Sequence, residues 1–282
     1  MELRTSPIIA VCNQKGGVGK TTTAINLAQA LVLQDLNILL IDLDPQGNTT
    51  CGFGIKLESI QTSVADLIRD RDLLVDKAIY KGDRLDIIPA TPYLARVERE
   101  MVGMTNSELR LMRKLDGVRE RYSIIIIDTP PTFGPLMNAA LNTAQHLIVP
   151  VDSFFSLIGI KELLAEVEEI KQGTNLGLKI LGFLMTMVDP TNISHETRNN
   201  LLANFGSQVF ETRIRRSVKL REAPVFGKTI FHHAPESAGA QDYWSLATEV
   251  LDRLGIGEDA TKPSAIQTAR PSLTLVQEAC HE

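Results

Sequence analysis

The stretch Gln14-Lys15-Gly16-Gly17-Val18-Gly19-Lys20-Thr21-Thr22 decides the fold of this 282-residue chain. Apolar residues 8–11 come shortly before it, and a segment with helical periodicity, 24–33, follows it. A strand, a glycine-rich turn and a helix in that order direct backbone N–H groups and the positive end of the helix dipole toward one point. The sequence therefore predicts a phosphate-binding turn between a first strand and a first helix.

Two lysines and a threonine in this turn suit the chemistry of a bound phosphate. Lys20 would place a positive charge near the outer phosphates, and Thr21 would offer its hydroxyl to Mg²⁺. Lys15 is unusual, because at the front of the turn it could reach phosphates bound by another copy of the chain. Gln14 replaces the first glycine of the pattern G-x-x-x-x-G-K-[ST], so the strict pattern fails. A glycine turn that binds nothing is the alternative, and the flanking strand and helix signals argue against it.

Apolar, β-branched runs alternate along the chain with segments of helical periodicity. Residues 124–127 are four consecutive isoleucines, a pattern typical of a parallel strand buried on both faces. We therefore predict an α/β fold with a single doubly wound, mostly parallel sheet and helices on both faces. The predicted strands are 8–13, 38–42, 85–88, 124–128, 147–151 and 180–187. The predicted helices are 24–33, 64–69, 108–121, 161–171, 196–205 and 240–254.

Carboxylates follow two of the predicted strands. Asp42 and Asp44 close the second strand and precede a turn with Pro45 and Gly47. Beside a triphosphate and Mg²⁺ such a pair can orient water, and an acidic strand end that caps a helix is the alternative. Asp128 ends the isoleucine strand before two prolines, where it can hold Mg²⁺ through water or simply cap a turn. Because ligands of doubly wound sheets bind beyond the carboxyl ends of the strands, we expect these groups to lie together.

These motifs together resemble the ParA/Soj family of partition ATPases, within the deviant P-loop group that includes the division-site protein MinD. The resemblance rests on residues 15–22, on Asp42-Leu43-Asp44-Pro45-Gln46-Gly47-Asn48 and on Ile127-Asp128-Thr129-Pro130-Pro131. A fourth segment, residues 214–224, looks like the late basic element of the family. The resemblance covers about residues 7–255 of the chain.

The resemblance implies ATP and Mg²⁺ as cofactors and gives each motif residue a role. Lys15 and Lys20 would both act on one triphosphate, with Lys15 donated by the second subunit of an ATP-bound homodimer. Thr21, Asp44 and Asp128 would form the Mg²⁺ site, and Asp44 would also orient the attacking water. The nucleotide-binding residues implied by the resemblance are Lys15, Gly16, Gly17, Val18, Gly19, Lys20, Thr21 and Thr22.

Asp189 ends a later predicted strand, near the place expected for the nucleotide base. Its carboxylate could accept a hydrogen bond from the adenine amino group, which would add it to the nucleotide-binding residues. A helix-capping turn is an equally reasonable interpretation of the same residues, and the sequence leaves the two open.

Five cations fall within nine positions of a chain with a formal net charge of −5. On a dimer this cluster would double into one stripe able to bind DNA phosphates. Because nothing resembles a base-reading helix, the binding would be independent of DNA sequence. The alternatives are a solvated basic loop and arginines paired with the chain's own acids. The five residues are Arg213, Arg215, Arg216, Lys219 and Arg221.

The bulk composition is that of an ordinary globular protein, with 44% hydrophobic and 22% charged residues. Three widely spaced cysteines and the lack of a signal-peptide pattern predict a reduced cytoplasmic chain. No stretch reaches the roughly 18 apolar residues of a membrane span. We expect one P-loop ATPase domain over residues 1–257 and a flexible tail over residues 258–282.

The expected function follows from the resemblance. It is that of a dimerising, Mg-ATP-dependent ATPase that binds DNA non-specifically and drives partition of plasmid or chromosome DNA. Hydrolysis would be stimulated by a ParB-like partner, and the protein would associate with the nucleoid. Because the turn begins at residue 14, we expect no helix-turn-helix domain upstream of it. Positioning of a protein cargo uses the same motifs and is the nearest alternative.

Three further functions are less consistent with the sequence. A MinD-type membrane regulator needs a basic amphipathic C-terminal helix, whereas residues 263–282 contain Arg270 as their one lysine or arginine. An iron–sulfur reductase needs exposed cysteines at a dimer interface, which neither Cys12 in a strand nor Cys280 in the tail offers. A nucleotide-binding scaffold without turnover is disfavoured by the carboxylates after the second strand.

Overall fold

The computed structural model describes residues 6–256, with only the backbone described at 154–158, so the predicted tail at 258–282 lies outside the described residues. One sheet contains the strands β1 (Ile8–Val11), β2 (Ile38–Asp42), β3 (Leu85–Ile88), β4 (Ile124–Asp128), β5 (His146–Val151), β6 (Lys179–Val188) and β7 (Val209–Arg215). Their order across the sheet is β3-β2-β4-β1-β5-β6-β7, and these strands all pair in parallel. This confirms the predicted single parallel sheet.

Helices cover both faces of the sheet and enclose a hydrophobic core on each. The isoleucines of β4 divide between the two cores, with Ile125 and Ile127 in one and Ile124 and Ile126 in the other. No helix within residues 6–256 combines the length and the apolar character needed to cross a lipid bilayer. The helices are α1 (Lys20–Val32), α2 (Asn48–Gly52), α3 (Val64–Arg69), α4 (Tyr93–Met101), α5 (Arg110–Leu115), α6 (Pro135–Thr143), α7 (Phe154–Gly173), α8 (Asn192–Phe205), α9 (Val218–Glu222), α10 (Ile230–His233) and α11 (Ala238–Leu254).

The strand order brings the three sequence motifs to one edge of the sheet. β4 lies between β1 and β2, and Asp128 at its carboxyl end is in register with both Val11 and Asp42. The turn after β1, the acidic segment after β2 and the segment after β4 therefore leave the sheet side by side. This is the position at which doubly wound sheets bind their ligands.

Strand β7 is absent from the sequence-based prediction. It is an edge strand with several polar, exposed positions, so it lacks the apolar run that identified the inner strands. Its unpaired edge is covered by α11, where the Glu249 carboxylate accepts hydrogen bonds from the backbone N–H groups of Glu211 and Thr212, both at 2.9 Å. A side chain of α11, distant in sequence, thus accepts hydrogen bonds from backbone N–H groups of β7. No local sequence pattern predicts this contact.

The helix predicted over residues 108–121 is wrong in extent. The structure forms α5 over Arg110–Leu115 only, with single 3-10 turns at Ser107–Leu109 and Arg119–Arg121. Helix α5 ends at Asp116-Gly117, because the chain then tightens and the N–H of Val118 bonds to the carbonyl of Leu115 at 3.0 Å. Helices α2, α4, α6, α9 and α10 are also unpredicted, and each of them is short, with four to nine residues.

Candidate nucleotide-binding site

Two glycines with unusual backbone angles shape the turn between β1 and α1. Gly17 and Gly19 have φ values of +77° and +87°, in the left-handed region that favours glycine. Gly19 precedes α1 and offers no side chain to cap it, while Lys20, Thr21 and Thr22 form its first turn. The N-terminal N–H groups of a helix need acceptors from outside the helix. An anion with several oxygens fits this requirement.

Two side chains outside the predicted set fix the turn to the sheet. Asn13 accepts a hydrogen bond from the backbone N–H of Lys15 at 3.0 Å and donates one to the carbonyl of Pro150 at 2.7 Å. Thr186 on β6 donates its hydroxyl to the carbonyl of Val18 at 2.9 Å. The cradle is therefore attached to β5 and β6. The predicted first strand, 8–13, included Asn13, whereas β1 ends at Val11; Thr186 lies in an apolar strand, where no motif indicates a role for it.

Lys20 is a buried cation that faces this turn. Its side chain is only 6% exposed, and Nζ donates to the backbone carbonyl of Lys15 at 3.1 Å. Burial lowers the pKa of Lys20, and the nearby charges of Asp128 and Asp44 oppose that shift. In the part of the chain that the structure describes, no carboxylate lies within ion-pair distance of Nζ. A buried positive charge without a counterion suits a phosphate.

Asp128 is fully buried and only half satisfied. Its Oδ2 accepts hydrogen bonds from the hydroxyls of Thr21 and Thr49, each at 2.7 Å. Its Oδ1 is buried and has no hydrogen-bond partner among the described residues. Burial raises the pKa of Asp128, although the two hydroxyl donors oppose the shift. A carboxylate oxygen left open beside a hydroxyl is the hard oxygen ligand that Mg²⁺ prefers, directly or through its waters.

The donors around Asp128 fit a magnesium ion that takes most of its ligands from elsewhere. Within residues 6–256 there is no cluster of three or more histidine, cysteine, aspartate or glutamate side chains arranged to hold a metal. Mg²⁺ bound with a nucleotide commonly uses one or two protein oxygens and completes its octahedron with phosphate and water. Thr21 and Asp128 could offer such a small set, and the metal roles predicted for Thr21, Asp44 and Asp128 stay predictions.

Asp42 and Asp44 lie in different environments and have different hydrogen-bond partners. Asp42 is fully buried, and its oxygens accept hydrogen bonds from the N–H of Asp44 at 3.2 Å and from the N–H and hydroxyl of Thr50 at 2.8 and 2.7 Å. Asp42 therefore takes the helix-capping role left open above, at the start of α2. Asp44 is 7% exposed, lies in the turn beyond β2 and accepts the N–H of Gln46 at 2.9 Å. Burial raises the pKa of both carboxyls.

Known proteins resemble this chain over most of its length. A family profile described as an AAA domain matches residues 6–180. The chromosome-partitioning ATPase Soj of Thermus thermophilus is 42% identical over 248 residues, which cover 87% of this chain and 96% of that protein. The sporulation initiation inhibitor protein Soj of Bacillus subtilis is 41% identical, with 86% and 97% covered. The chain belongs to the ParA/Soj family of partition ATPases.

A solved structure bound to an ATP analogue shares the fold of this chain. Cobyrinic acid a,c-diamide synthase of Mycobacterium smegmatis, solved with an ATP analogue and magnesium, superimposes with a TM-score of 0.77. It is 30% identical in sequence, and the alignment covers 89% of this chain and 96% of that one. The family resemblance, the P-loop fold and the ATPase class predicted from the sequence are thus confirmed.

Lys15, the lysine at the front of the turn, directs its side chain to residues that follow β5. Its Nζ bonds to both carboxylate oxygens of Asp152 at 2.9 Å and to the hydroxyl of Ser153 at 3.1 Å. The side chain is 40% exposed. Lys15 and Lys20 therefore point to different partners within one chain. The action of Lys15 on a second subunit's phosphates stays a prediction.

The proposed base contact, Asp189, follows an irregular end of strand β6. Met187 has a φ of +52°, which is uncommon for a residue with a side chain, and its methyl group lies about 4.0 Å from where a Cβ on Gly19 would be. Asp189 accepts a hydrogen bond from Nε of Arg216 at 2.6 Å. The adenine contact stays a prediction, and no motif in the sequence indicates the backbone conformation of Met187.

The basic segment of this ParA/Soj chain is neither a loop nor an unpaired stripe. Arg213 and Arg215 lie on β7, whereas Lys219 and Arg221 lie on α9. Arg215 forms an ion pair with Asp242 at 2.6 Å, and Lys219 pairs with Glu222 at 2.9 Å. Together with the Arg216–Asp189 contact, three of the five cations have carboxylate partners. Arg213 and Arg221 are exposed and have no ion-pair partner among residues 6–256. Pairing with the chain's own acids, one of the alternatives above, applies to most of the cluster.

Proposed function

We propose that this ParA/Soj ATPase is a nucleotide-controlled switch for DNA partition. It binds Mg-ATP at the turn after β1 and forms a homodimer around the nucleotide. The dimer binds DNA without sequence preference, and hydrolysis returns it to monomers. The names of its relatives, two of them chromosome-partitioning proteins at 42% and 39% identity, support the choice of DNA as cargo. The proposed location is the cytoplasm, on the nucleoid.

The roles at the nucleotide follow from the contacts of each side chain. The first turn of α1 and Lys20 hold the phosphates, because both present positive charge without a protein counterion. Thr21 and Asp128 hold Mg²⁺, whose charge would offset that on the β- and γ-phosphates. Asp44, in the turn beyond β2 and fixed by the hydrogen bond from the N–H of Gln46, orients the attacking water. Its raised pKa suits a group that handles a proton during hydrolysis.

The observation that carries the dimer proposal is the position of Lys15. A cation that belongs to a phosphate site but pairs with Asp152 in its own chain is free to exchange that carboxylate for a phosphate of another subunit. The ion pair is partly exposed to solvent, with side-chain exposures of 40% and 20%, and pairs at the protein surface contribute little stability, about 0–1 kcal/mol, so the exchange has a low cost. Each site then lacks one cation until a second copy supplies it. This arrangement makes hydrolysis depend on association.

The basic segment supports binding to DNA phosphates. Arg213 and Arg221 are exposed and lie at either end of the segment, with Arg215, Arg216 and Lys219 between them. Two such segments on a dimer would give an electrostatic footprint that is independent of sequence. A ParB-like partner bound to the cargo would accelerate hydrolysis and so release the dimer from DNA.

The test is light scattering of the full chain with ATP and Mg²⁺. An Asp44→Ala variant should bind ATP, hydrolyse at least about 100-fold more slowly and accumulate as a dimer, since it lacks the group that orients water. Adding Lys15→Ala to that variant should return it to the monomer while ATP binding persists.

A matched control is Lys171→Ala in the Asp44→Ala background. Lys171 is another exposed, ion-paired lysine, held by Glu168 on α7, and its loss should leave the dimer intact. A dimer that survives Lys15→Ala, or a monomer in every variant, would contradict the proposal.

A further inference from the structure

Thr49 has a buried hydroxyl that contacts the proposed magnesium site, and none of the roles proposed above includes this residue. It lies in the first turn of α2 and is fully buried. Its hydroxyl donates to Oδ2 of Asp128 at 2.7 Å, the same distance as the hydroxyl of Thr21. Two donors on one oxygen fix the rotation of the carboxylate and leave Oδ1 as the open one.

The two threonines differ in what happens when the site is loaded. Thr21 is the residue proposed to bind Mg²⁺, and a hydroxyl that binds a metal through its oxygen is drawn toward the metal. Thr49 lies on another element, α2, and is then the donor that continues to hold Oδ2. Removing a group that orients a metal ligand commonly lowers metal affinity about 10–100-fold.

We propose that Thr49 is a positioning residue of the magnesium site, which holds Asp128 so that Oδ1 faces the metal and its waters. This inference rests on the proposed role of Asp128. It adds a residue of α2 to the magnesium site, although none of the residues predicted to bind the nucleotide lies on α2.

The same hydroxyl connects the magnesium site to the turn that carries Asp44. Helix α2 begins directly after this turn, where the N–H of Gly47 bonds to the carbonyl of Asp44 at 2.9 Å. The next residue, Thr50, ties the helix to Asp42 on β2 through its N–H and hydroxyl. Thr49 thus attaches α2 to Asp128 on β4, and Thr50 attaches it to Asp42 on β2. A shift of Asp128 would be transmitted through Thr49 to the Asp44 turn.

The experiment compares Thr49→Val with Thr49→Ser. Valine keeps the shape and removes the hydroxyl, whereas serine keeps the hydroxyl. The readout is the Mg²⁺ concentration that gives half-maximal binding of a fluorescent ATP analogue to the full chain, without DNA and at fixed pH. We expect Thr49→Val to raise this concentration about tenfold or more, and Thr49→Ser to stay within about twofold of the parent. Binding of the analogue in EDTA should be the same in all three proteins.

A matched control is Thr143→Val. Thr143 is also buried, but its hydroxyl donates to the carbonyl of Ala139 within α6, at the end of that helix away from the site. This variant should leave the magnesium requirement unchanged. Thermal unfolding of each variant checks that it is folded. If Thr49→Val does not fold, Thr49→Ala replaces it under the same criterion.

Asp128→Asn separates the inference from its premise. If Asp128→Asn raises the magnesium requirement and Thr49→Val does not, Thr49 has no positioning role although the metal role of Asp128 stands. If neither substitution changes the requirement, the proposed magnesium site is itself in error. An equal rise in Thr49→Ser and Thr49→Val would also overturn the inference, because the hydroxyl would then not be the group that matters.

Discussion

The nucleotide site and the basic segment both contain charged residues, but they differ in whether those charges are satisfied. In the nucleotide site, Lys20 is buried without a carboxylate partner among the described residues, and Oδ1 of Asp128 is buried with no hydrogen bond. In the basic segment, Arg215, Arg216 and Lys219 already have carboxylate partners. The first region is incomplete without a ligand, whereas most of the second is complete within the chain.

The energetic consequences of the two arrangements differ by several kcal/mol. A buried charge that is left unpaired destabilises a protein by several kcal/mol, so its retention indicates that a ligand completes it. An exposed ion pair contributes about 0–1 kcal/mol, so it can form for stability or exchange for a phosphate at little cost. Burial and pairing, rather than charge alone, therefore distinguish a built binding site from a charged surface.

The largest expected effect tests the unsatisfied side of this comparison. Lys20→Ala should weaken ATP binding by about 2–5 kcal/mol, because it removes a desolvated charge that the phosphates would pair with. Isothermal titration calorimetry with ATP and Mg²⁺ measures the change. In the nucleotide-free variant, the loss of side-chain packing lowers the free energy of unfolding, whereas removal of the buried, unpaired charge raises it. The net decrease should therefore be smaller than the lost packing alone would cause.

The control for Lys20→Ala is Lys171→Ala, which removes an exposed lysine that is paired on the surface. It should bind ATP like the parent. Wild-type ATP affinity in Lys20→Ala would mean that the buried ammonium group does not contact the nucleotide. The unpaired charge of Lys20 would then be no evidence for a ligand at this site.

A second, smaller effect sharpens the comparison within the basic segment. Replacing the unpaired Arg213 and Arg221 together by alanine removes four cations from the dimer, two from each subunit. This should lower the magnitude of the slope of log K against log salt for DNA binding by about 4, roughly one for each lost phosphate contact. Replacing Arg215 and Arg216 should lower it less, because Asp242 and Asp189 already neutralise them. Filter binding or fluorescence anisotropy across a salt series measures both.

Stability separates the two pairs of variants further. Arg215→Ala leaves the nearly buried Asp242 carboxylate without its cation, which should lower the free energy of unfolding by about 1–2 kcal/mol in urea titrations. Arg213→Ala and Arg221→Ala should change it by less than about 0.5 kcal/mol. If the paired arginines instead carry the larger share of DNA affinity, the internal pairs exchange for phosphates and this half of the comparison fails.

The parts of the fold that the sequence predicts are those with local patterns. The four isoleucines of β4 report burial on both faces, and the glycines of the turn report its geometry directly, because no other residue takes their backbone angles easily. Strand β7 has no such pattern, since its edge is covered by Glu249 from α11. A contact between residues nearly 40 positions apart is invisible to periodicity.

The candidate site divides in the same way. Lys20, Thr21, Asp44 and Asp128 could be selected from motif chemistry, because strands that alternate with helices run parallel and end at the same edge of the sheet. Thr49 could not, since its role depends on the 2.7 Å approach to a carboxylate 79 residues away. The same reason applies to Asp42, which the sequence paired with Asp44 in orienting water. Only the structure shows that the carboxylate of Asp42 accepts hydrogen bonds from the N–H and the hydroxyl of Thr50.

The smallest expected effect concerns pH and has opposite signs in the two regions. Burial raises the pKa of Asp42 and Asp128, so the folded chain holds these protons more tightly than the unfolded chain does. Their contribution to the free energy of unfolding therefore falls as the pH rises above the ordinary carboxyl value of 3.8. In the basic segment, the hydrogen bond from Lys219 lowers the pKa of Glu222, whose contribution is present above the ordinary value of 4.5 and is lost as the pH falls below it.

Urea unfolding of the nucleotide-free protein between about pH 5 and pH 8 measures this difference. Asp42→Asn should lose less stability than the parent as the pH rises across this range, because one of the two buried carboxyls no longer ionises. Glu222→Gln should keep the parent's slope, since the carboxylate it removes is already ionised throughout the range. An unchanged slope in Asp42→Asn would mean that the hydrogen bonds from Asp44 and Thr50 offset the burial of Asp42, and the contrast between the two regions would then rest on Lys20 and Asp128.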